Sequence, residues 1–270
     1  MSWFEALILG LVQGLTEFLP VSSSGHLEIG KVLLGVETSE DLMFTTLVHA
    51  ATVLSTIVVF RKQIWGLLKG FFKFKYNDET DYILKIAVSC IPVMIVGLWF
   101  KDPVETLFGS IRVVGAALVV TSFLLFFSDR ASARTPKADA PAKPAVRNGI
   151  SYWQAIVVGI SQAIAVIPGL SRSGTTISTG LICGVRREVI AQFSFLMVLI
   201  PILGESFLEV VGGEFSASTI GALPLITGFV AAFVSGLFAC KVMIALVKKA
   251  KLSWFALYCL VAALCIFIFA

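Results

Sequence analysis

Charge is scarce in this chain. Only 14% of its 270 residues are Asp, Glu, Lys or Arg, whereas soluble domains carry about 25%. Together with 57% hydrophobic residues and a mean hydropathy of +0.94, that shortage excludes an ordinary soluble domain, which could not cover so many apolar helices. Histidine is rarer still, with His26 and His49 alone. The five cysteines (Cys90, Cys183, Cys240, Cys259 and Cys265) are odd in number and widely spaced. They offer neither a disulfide framework nor a metal-ligand spacing, and read as small buried hydrophobes. The net charge of +4 lies in loops between apolar runs, where it signals topology rather than a nucleic-acid partner. The N-terminal segment lacks a basic n-region and an A-x-A cleavage site and carries Glu5, so it is expected to be mature protein rather than a signal peptide.

What the chain has in abundance is apolar length. Six stretches, near 43–60, 83–100, 111–128, 189–211, 219–247 and 254–270, are long enough to cross a hydrocarbon core of about 30 Å at about 1.5 Å per residue. Two further apolar regions are interrupted. Residues 2–19 run into Pro20 and Ser22-Ser23-Ser24-Gly25-His26 before a short piece ending at Gly35. Residues 151–167 run into Pro168-Gly169 and Ser171-Arg172-Ser173-Gly174 before another ending at Gly184. Each half is shorter than a span, so each region is predicted to be a re-entrant helix hairpin with its polar tip at membrane depth.

The two hairpins are repeats. A constant offset of 149 carries Ser2, Ala6, Gly10 and Gln13 onto Ser151, Ala155, Gly159 and Gln162. The same offset carries Ser22, Ser24, Gly25, Gly35 and Val36 onto Ser171, Ser173, Gly174, Gly184 and Val185. Lys and Arg gather on one side of the spans, in the loops around 61–75, 130–147, 186–187 and 248–251, while the opposite loops are acidic. The positive-inside rule makes the basic side cytoplasmic and places both termini outside. Three spans separate the hairpins, so they enter from opposite faces. The predicted fold is an all-α polytopic membrane protein with about six transmembrane helices and two re-entrant hairpins in an inverted-topology repeat. It is one integral membrane domain over 1–270, with halves 1–128 and 151–270 joined by an Ala/Pro/Lys/Arg-rich cytoplasmic linker, 129–150, expected to be a solvated connector.

The polar residues concentrate at the tips. Glu17 follows Gln13 by four residues, so both project from one helix face. A carboxylate at that depth is costly unless it faces a cavity or a cation. Ser22, Ser23, Ser24, Gly25 and His26 open a half-helix whose N-terminus is an anion site, and His26 titrates near neutrality. His49 is read as a hydrogen-bonded packing residue. Ser171, Arg172, Ser173, Gly174, Thr175 and Thr176 repeat the device with a guanidinium suited to phosphate oxygens. Carboxylate plus phosphate is the setting in which Mg²⁺ or Ca²⁺ bridges protein and substrate. The set points to phosphoryl transfer to water from a substrate whose tail lies in lipid. A lipid-phosphate transporter or flippase remains the alternative, because inverted repeats with half-helices are also a transporter design.

Two motifs carry a resemblance. Gln13 and Glu17 stand in a (E/Q)-x-x-x-E pattern followed by F-L-P-V-S-S-S-G-H over 18–26, and P-G-L-S-R-S-G-T-T occupies 168–176. In these motifs and in its hydrophobic profile the chain resembles the bacitracin-resistance family of undecaprenyl-diphosphate phosphatases. The resemblance implies hydrolysis of undecaprenyl diphosphate to the monophosphate and inorganic phosphate, which recycles the lipid carrier for cell-wall synthesis. It also implies a divalent cation, an outward-facing site in the bacterial plasma membrane, and bacitracin resistance on overproduction. Many members have Glu where this chain has Gln13, so Glu17 is expected to carry the cation with Gln13 assisting. Arg172 then clamps the transferred phosphoryl group, while Ser22, Ser24, Gly25, Ser171, Ser173, Gly174 and Thr176 bind the remaining oxygens. Ser23 is the preferred nucleophile with His26 as its base, and His26 itself is the close second. Expected partners are the prenyl diphosphate and membrane lipid; a homodimer is compatible with the sequence, which leaves oligomeric state open. Type-2 phosphatidic acid phosphatases share Ser-Gly-His and Ser-Arg elements but need a later histidine, and none follows Arg172.

Overall fold

The computed structural model describes residues 1–36, 42–108, 110–133, 146–204, 220–249 and 251–269, and among them no β-strand occurs. Among the described residues the architecture is carried by α-helices. They are α1 (Trp3–Phe18), α2 (Ser23–Leu34), α3 (Leu42–Phe71), α4 (Asp78–Trp99), α5 (Lys101–Phe108), α6 (Ile111–Ala133), α7 (Tyr152–Ile164), α8 (Arg172–Ile182), α9 (Arg187–Met197), α10 (Ala222–Lys249) and α11 (Ser253–Phe269).

Five apolar segments among the described residues are long enough to cross a membrane: Met43–Phe71, Asp78–Trp99, Ile111–Ser132, Arg187–Gly204 and Ala222–Val247. The expected sixth span is the shorter apolar helix Ser253–Phe269. Many large side chains on these helices face outward, Phe123, Phe238, Leu264 and Ile268 among them. That is the pattern of helices solvated by lipid rather than by water. Part of the stretch expected over 189–211 lies outside the described residues.

The hairpins form as the sequence suggests. Ser2 and Ser151 each cap their helix through a complete capping box, with Glu5 and Gln154 as the returning side chains. At 16 and 13 residues, α1 and α7 reach only about 24 and 20 Å. Their return arms α2 and α8, at 12 and 11 residues, are shorter still. Ser22 and Ser171 cap the return arms, each accepting a hydrogen bond from the glycine three residues on, Gly25 N at 3.2 Å and Gly174 N at 3.1 Å. Position for position, Ser23 and Arg172 are the first residues of the two return helices.

Each hairpin packs on a long helix of the other half. Helix α1 lies along α10, and α7 lies along α4. The same repeat position permits both contacts: a β-carbon on Gly10 would collide with the Gly228 carbonyl, and one on Gly159 with that of Ser89. Small residues at such crossings let helix backbones approach closely in lipid. The two tips then touch. Ser173 Oγ donates to the Leu19 carbonyl at 3.1 Å, and Gly169 N donates to Ser24 Oγ at 3.4 Å. Gly169 sits at φ +85°, a conformation that favours glycine, with the Val114 backbone directly against its Cα.

The described ends of the segment expected as a linker, 129–133 and 146–150, are tied to the helices beside them. Helix α6 continues through Ala133, and Asp129 accepts from Arg187 Nη2 at 2.6 Å and from the Ser253 backbone N–H at 2.9 Å. At the far end Arg147 pairs with Asp78, and Asn148 donates to Asp81 at 2.9 Å. Asp81 also holds Lys85 at 2.6 Å in a pair that is almost wholly buried. Residues 134–145 lie outside the described residues.

Candidate active site

Glu17 is the hub of the polar cluster. Its Oε2 accepts from Ser23 Oγ at 2.6 Å and from Gln13 Nε2 at 2.8 Å. The i,i+4 relation on α1 sets the second bond; the first exists because the chain turns back within six residues. That turn is strained, since Ser22 sits at φ +71° although it is not glycine. A non-glycine residue in this region costs of order 1–3 kcal/mol and persists only where its surroundings enforce it. Here the twist aims the Ser22 carbonyl at His26 Nδ1, 2.7 Å away.

His26 is therefore held differently from the expectation. A carbonyl oxygen only accepts, so Nδ1 carries the proton and Nε2 is the free base of the neutral ring. Nε2 is 2.7 Å from the Tyr258 hydroxyl on α11, which donates to it, and the two rings stack at 5.6 Å. The expected Ser23–His26 pairing is not the one formed: the Ser23 proton points to Glu17. Tyr258 had no signal in the sequence, because it lies 232 residues away on a uniformly apolar helix.

His49 also differs from its reading. It does hydrogen-bond its own helix, through Nδ1 to the Thr45 carbonyl at 2.8 Å, but its Nε2 faces Glu17 Oε2 at 3.8 Å. That distance exceeds a direct hydrogen bond and suits a bridging water. One signal could have found it: His49, Thr52 and Thr56 form a polar stripe at helical spacing on an otherwise apolar span.

Opposite Glu17, Arg172 and Ser173 of the second hairpin line the same cavity, together with Gln162, Thr52 and Thr56. Phe18 and Phe195 close its floor, packed edge-to-face at 5.9 Å. Gln13, Glu17, Ser23, Arg172 and Ser173 thus lie in one polar cluster. Ser22 and Ser24 remain at the tip, their hydroxyls 3.3 Å apart. Ser171 and Gly174 are spent on the cap of α8. Thr176 Oγ1 is buried and bonded to the Arg172 carbonyl at 2.8 Å and to Ser194 Oγ at 2.6 Å. In this geometry the Thr176 hydroxyl faces the protein interior rather than the tip.

A carboxylate poised on a serine hydroxyl, facing an arginine between two helix N-termini, is equipped for phosphoryl transfer. The model of the family described as "Bacitracin resistance protein BacA" matches residues 6–265. The chain belongs to the BacA family. It is 55% identical over 268 residues to the undecaprenyl-diphosphatase of Parabacteroides distasonis, covering 98% of this chain and 97% of that one. Against the proteins of the same name from Bacteroides fragilis and Carboxydothermus hydrogenoformans, identity is 54% and 38%, with 96% of this chain covered in both, and 95% and 94% of theirs. Both tip motifs, at 18–26 and 168–176, fall inside the matched range.

Proposed function

We propose that this BacA-family chain is a multi-pass membrane phosphatase that hydrolyses undecaprenyl diphosphate to undecaprenyl phosphate and inorganic phosphate. In that role it recycles the lipid carrier for cell-wall synthesis and confers resistance to bacitracin. The observation that carries the reading is the meeting of the Glu17–Ser23 hydrogen bond with Arg172 where the hairpin tips touch. The names of its relatives support the substrate.

Ser23 Oγ attacks the distal phosphorus, and its proton passes to Glu17 Oε2, which already accepts it. The bond between that phosphorus and the bridging oxygen breaks, and the prenyl monophosphate leaves with the electron pair. Arg172 and the first-turn N–H groups of α2 and α8 hold the phosphoryl oxygens. Water then releases phosphate from Ser23. His26, donating through Nδ1 to the Ser22 carbonyl and accepting at Nε2 from Tyr258, ties the first hairpin tip to α11.

A divalent cation fits the residues present. Gln13 Oε1 is fully buried without a hydrogen-bond partner, one turn from the Glu17 carboxylate. These hard oxygen donors would hold Mg²⁺ or Ca²⁺ jointly with substrate oxygens, because no cluster of three or more His, Cys, Asp or Glu exists among the described residues. Such an ion, when bound, neutralises diphosphate charge. The charge bias of the loops supports a site open to the extracytoplasmic side of the bacterial plasma membrane.

The test is phosphate release from undecaprenyl diphosphate by the purified full chain, with and without chelator, set against Glu17→Ala and Arg172→Ala. Rapid-quench labelling from the distal phosphate distinguishes the steps. Acid-stable phosphoserine supports attack by Ser23, acid-labile phosphohistidine replaces it with His26, and wild-type protein releasing no phosphate with cation supplied overturns the reading.

A further inference from the structure

The second hairpin contributes one more polar group to the site. Gln162, on the last turn of α7, is 1% exposed, and neither its Nε2 nor its Oε1 has a hydrogen-bond partner. Buried amides are normally satisfied, and each exception calls for an explanation. Its repeat counterpart Gln13 spends Nε2 on Glu17 at 2.8 Å. Gln162 has no such neighbour, because Val166 stands where the offset of 149 would place the matching carboxylate. What Gln162 does have is the cavity, which it lines together with Glu17 and Arg172.

That cavity leaves about 20 Å³ for the centre of a water-sized sphere. A single water needs roughly 10–15 Å³ by that measure, so the cavity that these three side chains help to line has room for one water. A primary amide is suited to hold it, since the carbonyl oxygen accepts from water while the NH₂ donates to a neighbouring anionic oxygen. Aliphatic and aromatic walls, Phe18, Val53, Phe195 and Val198, exclude competing solvent.

We propose that Gln162 positions the hydrolytic water. Resting on the phosphatase reading above, this assigns a residue of the second hairpin to the reacting atoms. Gln162 Oε1 accepts one water proton and its Nε2 donates to a phosphoryl oxygen that Arg172 also holds. The proton that Glu17 took from Ser23 leaves with the prenyl monophosphate, so Glu17 is again a carboxylate when the water attacks. The water oxygen forms the new bond to phosphorus, keeps one proton on the product phosphate and passes the other to Glu17. The bond from phosphorus to Ser23 Oγ breaks, and Oγ leaves with the electron pair and takes that proton from Glu17, which regenerates both groups.

The experiment compares wild-type full-length chain with Gln162→Leu and Gln162→Glu on undecaprenyl diphosphate, measuring kcat, KM and melting temperature in detergent. Leucine removes both unpartnered atoms, so the melting temperature holds or rises. At the same time kcat falls about 100-fold, as when one preorganised donor is removed from an active site, and KM falls with it, because only the second step is slowed and kcat/KM is unchanged. Gln162→Glu keeps the acceptor and the volume, loses the donor and falls between. In rapid-quench labelling the Leu variant accumulates more phosphoenzyme than wild type does. A Leu variant with wild-type kcat overturns the inference, and so does a rise in KM alone. A loss of activity that tracks a lowered melting temperature in both variants assigns Gln162 to packing and also overturns it. An inactive wild type would instead overturn the phosphatase reading, which keeps the two failures apart.

Discussion

Glu17→Gln separates the two candidate bases for Ser23. Glu17 Oε2 accepts from Ser23 at 2.6 Å and from Gln13 at 2.8 Å, and His49 Nε2 stands 3.8 Å away. The amide has nearly the same volume and can still accept the serine hydrogen, so the local packing survives. It cannot take the proton. General-base assistance is worth about 10²–10⁴ in rate, which at about 1.36 kcal/mol per decade raises the barrier by roughly 3–5 kcal/mol. The assay is phosphate release by wild type, Glu17→Gln, Ser23→Ala and the double variant. Groups acting as one unit do not add, so the double variant should lose no more than the worse single. If Glu17→Gln keeps more than about a tenth of wild-type kcat, below the smallest effect expected of a base, then the Ser23–Glu17 bond is not the catalytic one. Losses that multiply in the double variant would lead to the same conclusion.

Three further outcomes follow from the packing. Tyr258→Phe keeps the ring stack on His26 and removes only the donor to Nε2. A hydrogen bond of about 0.5–1.5 kcal/mol corresponds to a kcat roughly two- to tenfold lower, and unchanged kinetics beside an inactive His26→Ala would mean that the contact is idle. Gly159→Ala drives a β-carbon into the Ser89 backbone and Gly10→Ala does the same at Gly228; each should cost about 1–3 kcal/mol of overpacking, read as a lower unfolding midpoint in detergent. Lys85→Met strands the buried Asp81 carboxylate and should cost about 3–5 kcal/mol, much of which the double variant with Asp81→Asn recovers.

The hairpins were legible because their interruptions are chemically loud. Pro20 with three serines and Pro168-Gly169 with Ser171 cannot continue an apolar helix, and the constant offset of 149 tied one break to the other. Gln13, Glu17, Ser23 and Arg172 could be placed for the same reason, by helical spacing and repeat register. What stayed hidden was direction. The φ of +71° at Ser22 turns a carbonyl onto His26 and sends the Ser23 proton to Glu17 instead, and no residue type announces that torsion. Thr176 carried the right chemistry in the right motif, yet faces Ser194 in the protein interior. Tyr258 and His49 reach the site through tertiary packing across the chain, for which periodicity gives a face but no partner.

The crossing of each hairpin onto the other half bears on how the enzyme is made. Glu17, Ser23 and His26 are all synthesised within the first 26 residues, but the helix that shelters α1 begins only at Ala222 and the tyrosine on His26 is residue 258. Until α10 is in the bilayer, the glycine face of α1 has lipid where it needs a helix backbone. A ribosome-bound or truncated product would therefore carry Glu17, Ser23 and His26 without the neighbours that hold them in place. Two half-chains expressed separately should be inert alone and recover activity only when they are inserted into one membrane together.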